Sequence, residues 1–281
     1  MVVAHLNQAK QRKHDEYYTR MVDIENELRY YQHHFEGKVV YCNCDKDSSN
    51  FVKYFRSISS SLGRDHILLR SSLNFLSAQS IRWLKQSDVV VTNPPFSLFR
   101  EYVAQLIEHD KKFLILGNPN AISYKSIFPL LKENKMWVGV KRLGSDILFE
   151  IPEKYQQELV KAEKVHSYRV VDGEILGRAQ AAWFTNLENY QSKPKLKLTK
   201  LYDPSIYPFF DNINAINVNK VKDIPADYSG AMGVPLAFMQ DYDPEQFRLL
   251  DFPDGKVSPS QVDFYIGGKK IYNRVLIERA K

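Results

Sequence analysis

Short, nearly continuous apolar runs alternate with amphipathic stretches through the first half of the chain. Val39-Val40-Tyr41, Ile67-Leu68-Leu69, Val89-Val90-Val91 and Phe113-Leu114-Ile115-Leu116 are too short for helices and too apolar for half-exposed strands. They are predicted to be strands buried on both faces. Helical spacing fills the gaps: Met21, Ile24, Leu28 and Tyr31 lie within a helix predicted from Glu16 to Phe35 and ended by Gly37. Ser48 and Ser49 can cap a helix through Phe51, Val52, Tyr54 and Phe55. Further helices are predicted around Ile81, Trp83 and Leu84, from Phe99 to Ile107 and from Ser126 to Leu131, with a strand from Met136 to Val140. The alternation predicts an α/β fold, a mostly parallel Rossmann-type sheet with helices on both faces.

After about residue 142 the texture changes. Pro152, Pro204, Pro208, Pro225 and Pro235 interrupt an aromatic-rich sequence in which helical periodicity fades. Near its end, Ile271, Asn273, Val275 and Ile277 alternate after a Gly-Gly turn, predicting a strand within Gly267 to Arg279. The chain therefore divides into a tail (1–12), a sheet domain (13–150) and an irregular, β-rich C-terminal part (151–281).

Composition narrows the class. The 281 residues are 44% hydrophobic, ordinary for a globular protein, and carry a net charge of +6. That charge fits a polyanionic partner, because cationic side chains that displace condensed counterions give sequence-independent affinity for nucleic acid. No run of about 18 apolar residues exists, and the polar, basic start lacks the apolar stretch of a signal peptide. A cytoplasmic protein without a membrane partner is expected. Cys42 and Cys44 fall in one predicted strand and are read as reduced thiols whose side chains turn apart. His5, His14, His33, His34, His66, His109 and His166 show no metal-ligand spacing, so no metal is assigned.

The chemistry concentrates in Asn93-Pro94-Pro95-Phe96, directly after the apolar run Asp88 to Thr92, where an open α/β sheet places its ligands. An exocyclic base amine is a poor nucleophile because its lone pair is delocalised into the ring, and two fixed acceptors would draw it toward tetrahedral geometry. The Asn93 side-chain oxygen and a proline carbonyl, held by two φ-locked residues, are such acceptors. Phe96 offers a face on which a flipped base can stack. Asn-Pro and Pro-Pro also mark plain turns; the buried strand before them and the aromatic after them favour methylation of a planar amine. Tetrapeptides of this type serve adenine, RNA-base and protein-glutamine methylation, so the motif defines the reaction more sharply than the substrate.

Beyond that motif, several unusual strings resemble the EcoRI-type adenine-specific DNA methyltransferases across nearly the whole chain. They are Asp15-Glu16-Tyr17-Tyr18-Thr19, Asp23 to Leu28, Gly37 to Asp45, Ser49-Asn50-Phe51, Asn93 to Phe99, Leu116-Gly117-Asn118, Trp183 to Leu187 and Met232-Gly233-Val234-Pro235. The resemblance implies a methyltransferase-like sheet, S-adenosyl-L-methionine as methyl donor with S-adenosyl-L-homocysteine as product, and double-stranded DNA as substrate. Its target would be N6 of a flipped-out adenine, in restriction-modification or as an orphan or phage methylase. The resemblance also implies cofactor contacts from Tyr17, Tyr18 and Thr19, with the hydroxyl and backbone around Thr19 approaching the methionine part, and from Asn43, Asp45, Asn74 and Asn93. Asp45 is the candidate for the α-amino group; taken alone it reads equally as a solvated loop carboxylate.

Two departures stand out besides the missing glycines of the loop after the first strand. Arg70, Ser71 and Ser72 occupy the place where many class members hold the ribose with a carboxylate. Asn74 precedes Phe75 where the family has an acid, an amide that can still hydrogen-bond adenine without charge. Farther on, Lys193, Lys195, Lys197 and Lys200 alternate with Pro194, Leu196 and Leu198, either as a strand whose cationic face tracks DNA phosphates or as a solvated strand. Lys269, Lys270 and Arg274 are the further DNA-contact candidates. A monomer or weak dimer is expected. Two rivals stay open: an RNA or protein-glutamine methyltransferase, and a DNA-binding protein with a degenerate cofactor site.

Overall fold

The computed structural model describes residues 18–63, 65–161, 166–188, 195–251 and 263–280, so the expected contacts at Tyr17 and Lys193 lie outside the described residues. The chain forms two compact units, Met1–Pro119 with Val138–Tyr190 and Asn120–Trp137 with Gln191–Lys281.

The first unit begins with β1 (Tyr18–Thr19), α1 (Met21–Leu28), β2 (Val39–Asn43), α2 (Asn50–Ile58), β3 (Ile67–Ser71), α3 (Ala78–Gln86), β4 (Val89–Thr92), α4 (Phe99–Glu108) and β5 (Lys112–Gly117). After α5 (Phe128–Lys132), which belongs to the second unit, come β6 (Trp137–Val138), β7 (Ile147–Glu150), α6 (Glu153–Lys161), β8 (Tyr168–Val171), β9 (Glu174–Ala179) and β10 (Ala182–Thr185). Six strands make the central sheet in the order β3-β2-β4-β5-β10-β6. The first four are parallel, and β10 joins β5 antiparallel, with Trp183 opposite Leu116. Every residue of β4 is buried, as are Val40 to Asn43 of β2. Since successive strand residues face opposite ways, both faces of the sheet are covered, which is why these segments read as unbroken apolar runs.

Strand order reverses at β2: β3 lies on one side and β4 on the other. Such a reversal opens a crevice at the carboxyl ends of the two strands that flank it. Helix α2 starts on that side, capped by the Ser49 side chain, which accepts from Val52 N at 3.3 Å. A second, four-stranded sheet runs β1-β7-β9-β8, with Tyr18 opposite Glu150 and Thr19 opposite Phe149.

Several boundaries differ from the expected ones. The single helix from Glu16 to Phe35 resolves, among the described residues, into β1, α1 and a 3-10 turn at Gln32–His34. Pairing with a strand distant in sequence takes Tyr18 and Thr19 out of the helix. Met136 to Val140 shrinks to β6, because the backbone N–H groups past Gly139 turn away from β10. Gly139 N donates to Trp183 O at 2.8 Å, and Val140 N and Lys141 N donate to the buried Glu27 carboxylate at 2.6 and 2.8 Å. Cys44 is not in β2: it follows the strand with φ 67°. The expected alternation of two cysteines on one strand therefore fails, and residues two apart in a strand would in any case share a face. Both thiols are free. Helix α6 was not expected; only Leu159 is buried along it, so it leaves almost no apolar periodicity. The central sheet takes β10 from residues beyond 150, the limit expected for the sheet domain.

In the second unit, β11 (Ile216–Asn217), β12 (Met232–Pro235), β13 (Phe247–Leu249) and β16 (Arg274–Arg279) form a sheet ordered β11-β12-β16-β13, and β14 (Phe264–Ile266) pairs with β15 (Lys269–Ile271). Gly267 and Gly268, at φ 55° and 72°, make the two-residue turn of that hairpin. The Asp211 carboxylate accepts both of their N–H groups, at 3.0 and 2.8 Å. Phe210, Ile213, Ala215, Phe264 and Leu276 form a small core. No helix among the described residues is long and apolar enough to cross a membrane.

Candidate active site

A cleft of about 500 Å³ opens at the sheet's point of reversal, lined by Tyr18, Thr19, Asp45, Asn50, Asn93 and Glu150 among others. Its floor is made where the chain leaves β2 and β4. Past Asn43 the backbone turns through the left-handed conformation at Cys44, an uncommon one for a side-chain-bearing residue. The Asn43 side-chain oxygen holds the turn by accepting from Cys44 N at 2.9 Å. The turn carries Asp45 back over the sheet to Thr92, the last residue of β4, whose hydroxyl donates to Asp45 Oδ2 at 2.6 Å and also reaches Asn43 O.

Asp45 is only 8% exposed. Burial pushes its carboxyl up from 3.8 to about 7, against the opposing pull of hydrogen bonds from Thr92 and Ser49. Desolvation outweighs the bonds because no cation among the described residues faces the carboxylate closely enough to offset the cost of burying charge. The neighbouring Cys44 thiol is pushed up as well, by burial and by the Asp45 charge, so it is protonated at neutral pH. Across the cleft, Thr19 is 4% exposed and its hydroxyl has no hydrogen-bond partner among the described residues. A buried orphan hydroxyl and a buried carboxylate lacking a counter-cation are what a cleft built for a polar, cationic ligand looks like without that ligand.

Beyond Ser72 the cleft continues into a more open groove of about 620 Å³ that shares Asp45, Lys46, Ser48 and Ser72 and adds Leu73 and Trp83. Arg70, at the end of β3, is ion-paired there with Asp47, which also binds Arg56 at 2.5 Å. The two guanidiniums, Arg70 first, hold the Asp47 carboxyl below the usual carboxylate range.

Asn93 and Pro94 enter the same cleft from β4. Pro95 begins a 3-10 turn, Phe96–Leu98, and its carbonyl accepts from Leu98 N at 2.9 Å. Helix α4 follows directly and packs Phe99 on Phe184 of β10, ring centroids 5.1 Å apart, so the loop is clamped at both ends by buried elements.

A model of the family described as "Adenine-specific methyltransferase EcoRI" matches residues 5–69 and 60–279. The chain belongs to that family. Among its relatives, the Type II methyltransferase M.EcoRI of Escherichia coli is 41% identical, over 98% of this chain and 96% of its own length. The Type II methyltransferase M.MpnI of Mycoplasma pneumoniae is 36% identical, over 98% of each chain, and M.MgeORF184P of Mycoplasma genitalium is 34% identical, again over 98% of each. No solved structure matches the chain.

In this member of the EcoRI methyltransferase family, the cleft gathers five of the residues expected at it: Tyr18, Thr19, Asp45, Asn93 and Pro94. The other expected residues among those described do not line it. Asn43 lies fully buried behind the cleft, where it supports the turn at Cys44. Asn74 is exposed and its oxygen accepts from Leu76 N at 3.0 Å, closing a local turn outside both parts of the cleft. Phe96 is half-buried against the apolar core of the first unit. Conversely, Asn50, Ser72 and Glu150, which are not among the expected site residues, line the cleft. Ser49-Asn50-Phe51 carried a family signal; Glu150 carried none, because its position depends on β7 pairing with β1.

The basic residues of the second unit separate into two groups. Lys195 pairs with Glu245 at 2.8 Å, and Lys270 with Asp263 at 2.6 Å. Arg274 is 9% exposed, with Nε donating to Asn217 Oδ1 at 3.1 Å and Nη1 to Tyr272 O at 3.2 Å. Lys197, Lys200 and Lys269 are exposed and have no ion pair among the described residues. The run from Lys195 is not a sheet strand; among the described residues its one ladder contact is an isolated bridge from Lys200 to Pro225. The Gln246 side chain accepts from Leu196 N at 2.7 Å and donates to Leu196 O at 3.0 Å, so one amide stands in for a neighbouring strand.

Proposed function

We propose that the protein transfers the methyl group of S-adenosyl-L-methionine to the N6 amine of an adenine turned out of double-stranded DNA. The observation that carries this reading is the shared cleft. Thr19 reaches it from β1, Asp45 from the turn after β2 and Asn93-Pro94 from the end of β4, at the reversal point of a parallel sheet in a chain of the adenine-specific family. The order of the central sheet and its antiparallel β10 support a methyltransferase-like, Rossmann-type arrangement.

The residues fit the cofactor. Asp45 suits its α-ammonium group, the Thr19 hydroxyl has an unused bonding capacity in the same cleft, and Trp83 and Leu73 give the farther groove the apolar character a nucleoside needs. When bound, S-adenosylmethionine supplies an electrophilic methyl group on a cationic sulfur. The chain aligns the acceptor. Asn93 Oδ1 and the Pro94 carbonyl each accept a hydrogen bond from the adenine amine, draw its nitrogen toward tetrahedral geometry and bring the lone pair into line. Two prolines fix both acceptors before the base arrives, so most of the rate enhancement comes from alignment and preorganised dipoles. The buried carboxylate and orphan hydroxyl weigh against a DNA-binding protein with a degenerate cofactor site.

The second unit recognises DNA in this reading, with Lys197, Lys200 and Lys269, which have no ion pair among the described residues, on phosphates, while Arg274 supports its sheet from within. The relatives' designation as Type II methyltransferases supports a role in restriction-modification.

Incubation of the protein and methyl-labelled cofactor with plasmid DNA, total RNA and a cell lysate tests the substrate. Label should enter DNA and be recovered as N6-methyladenine; label in RNA or protein instead would overturn the reading. Asn93→Ala should lower turnover by about 10²–10³ with DNA binding nearly intact, because the missing bond matters most in the transition state. Turnover within about threefold of wild type would remove Asn93 from the mechanism.

A further inference from the structure

Glu150 closes β7 and stands in the cleft together with Asp45, although the two come from different sheets. Its position is fixed by a single amide. Asn50 Nδ2, at the start of α2, donates to Glu150 Oε1 at 3.0 Å and to Thr19 O at 3.0 Å. Both hydrogens of that nitrogen are thus used, one to hold β1 and one to hold the carboxylate. The β1–β7 pairing places Tyr18 opposite Glu150, so Thr19, Asn50 and Glu150 form one connected wall. The wall also carries the Thr19 hydroxyl, on a residue only 4% exposed and without a partner among the described residues.

A carboxylate has room for about four hydrogen bonds, and the Asn50 amide takes one; an ammonium group has three hydrogens to place, more than Asp45 alone accepts in good geometry. We propose that Glu150 is the second carboxylate of the ammonium-binding end of this cleft, taking the α-ammonium group of the cofactor's amino-acid part jointly with Asp45, and that Asn50 is its positioning residue. The inference rests on the cofactor reading above and deepens it. It makes recognition of the amino-acid end depend on β7, which with the β1 of Thr19 lies outside the parallel sheet whose strands lead to Asp45 and Asn93. Lys46, which lines the same cleft, supplies a cation for the carboxylate of that amino-acid part.

The test compares two ligands by calorimetry on the full chain: S-adenosylhomocysteine, and 5′-methylthioadenosine, the same nucleoside thioether without the amino-acid part. Glu150→Gln, nearly isosteric at an exposed site, should weaken S-adenosylhomocysteine by ~10–100-fold, the effect of removing one charged hydrogen bond. It should leave methylthioadenosine within about twofold. Asn50→Ala should reduce the same preference in the same direction by less. Equal weakening of both ligands in Glu150→Gln, or S-adenosylhomocysteine binding within about twofold of wild type, would overturn the role of Glu150. Equal weakening of both by Asn50→Ala alone would make Asn50 merely structural and overturn its positioning role. Wild-type protein that binds neither nucleoside would overturn the cofactor reading, and the role of Glu150 with it.

Discussion

Replacing Asp45 with Asn should stabilise the unliganded protein above neutral pH while removing its hold on the cofactor. Asp45 is almost wholly buried, and its carboxyl is pushed from 3.8 to about 7. Below pH 3.8 the group is neutral in both the folded and the unfolded chain, so burial adds no ionic cost. Between 3.8 and 7 the unfolded chain ionises and the folded one does not, and stability falls as pH rises. Above about 7 the folded state is ionised too and the loss is complete, at about 4 kcal/mol. Asn has the same shape, keeps an oxygen for the Thr92 hydroxyl and does not ionise. The stability advantage of the variant over wild type should therefore grow by about 3 kcal/mol between about pH 5 and pH 8.5. Urea unfolding followed by circular dichroism at the two pH values measures it, and taking the difference between proteins cancels every other titrating group. A difference that stays constant to within about 0.5 kcal/mol would refute burial as the cause of the raised pKa. The same linkage governs binding. A cationic ligand needs the ionised carboxylate, so wild-type affinity for S-adenosylhomocysteine should rise about tenfold per pH unit up to about 7 and then level off, with a proton released below 7.

Phe96→Ala should weaken capture of the flipped base by about 1–3 kcal/mol while Phe96→Tyr retains most of it; 2-aminopurine fluorescence at the target position reports extrusion, and full extrusion by the alanine variant would leave Phe96 only the packing role its half-buried position shows. Replacing Lys197, Lys200 and Lys269 together by Gln should weaken DNA binding alike on target and non-target duplexes. The salt slope should fall by up to about 0.9 for each phosphate that is no longer neutralised; binding isotherms at several salt concentrations that give an unchanged slope would move DNA recognition to other residues. Gly139→Ala should destabilise the first unit by about 1–3 kcal/mol, because the added methyl would meet the Glu27 carboxylate that holds Val140 N and Lys141 N; an unshifted urea midpoint would show that the carboxylate can give way.

What the sequence determined by itself follows from local physics. The runs at Val40, Leu68, Val90 and Leu114 became β2 to β5 because a strand covered on both faces must be apolar throughout, a property legible in any short window. Ser49 capped α2 as its position before Phe51 and Val52 indicated, and the Gly267-Gly268 pair made a hairpin turn. Asn93-Pro94 at the end of β4 was equally legible, since its rigidity is covalent. What tertiary structure alone decided depends on partners far along the chain. Pairing with β7 turned Tyr18 and Thr19 from helix into strand and brought Glu150 to the cleft. Burial raised the Asp45 carboxyl against the opposing hydrogen bond from Thr92, although as a bare sequence position it reads equally as a solvated loop carboxylate. Asn43 and Asn74 went to backbone turns, and Arg274 to the interior of a sheet. Residue type fixes what a side chain can bond; only the fold, by choosing which groups lose water and which neighbours replace it, decides what each one does bond.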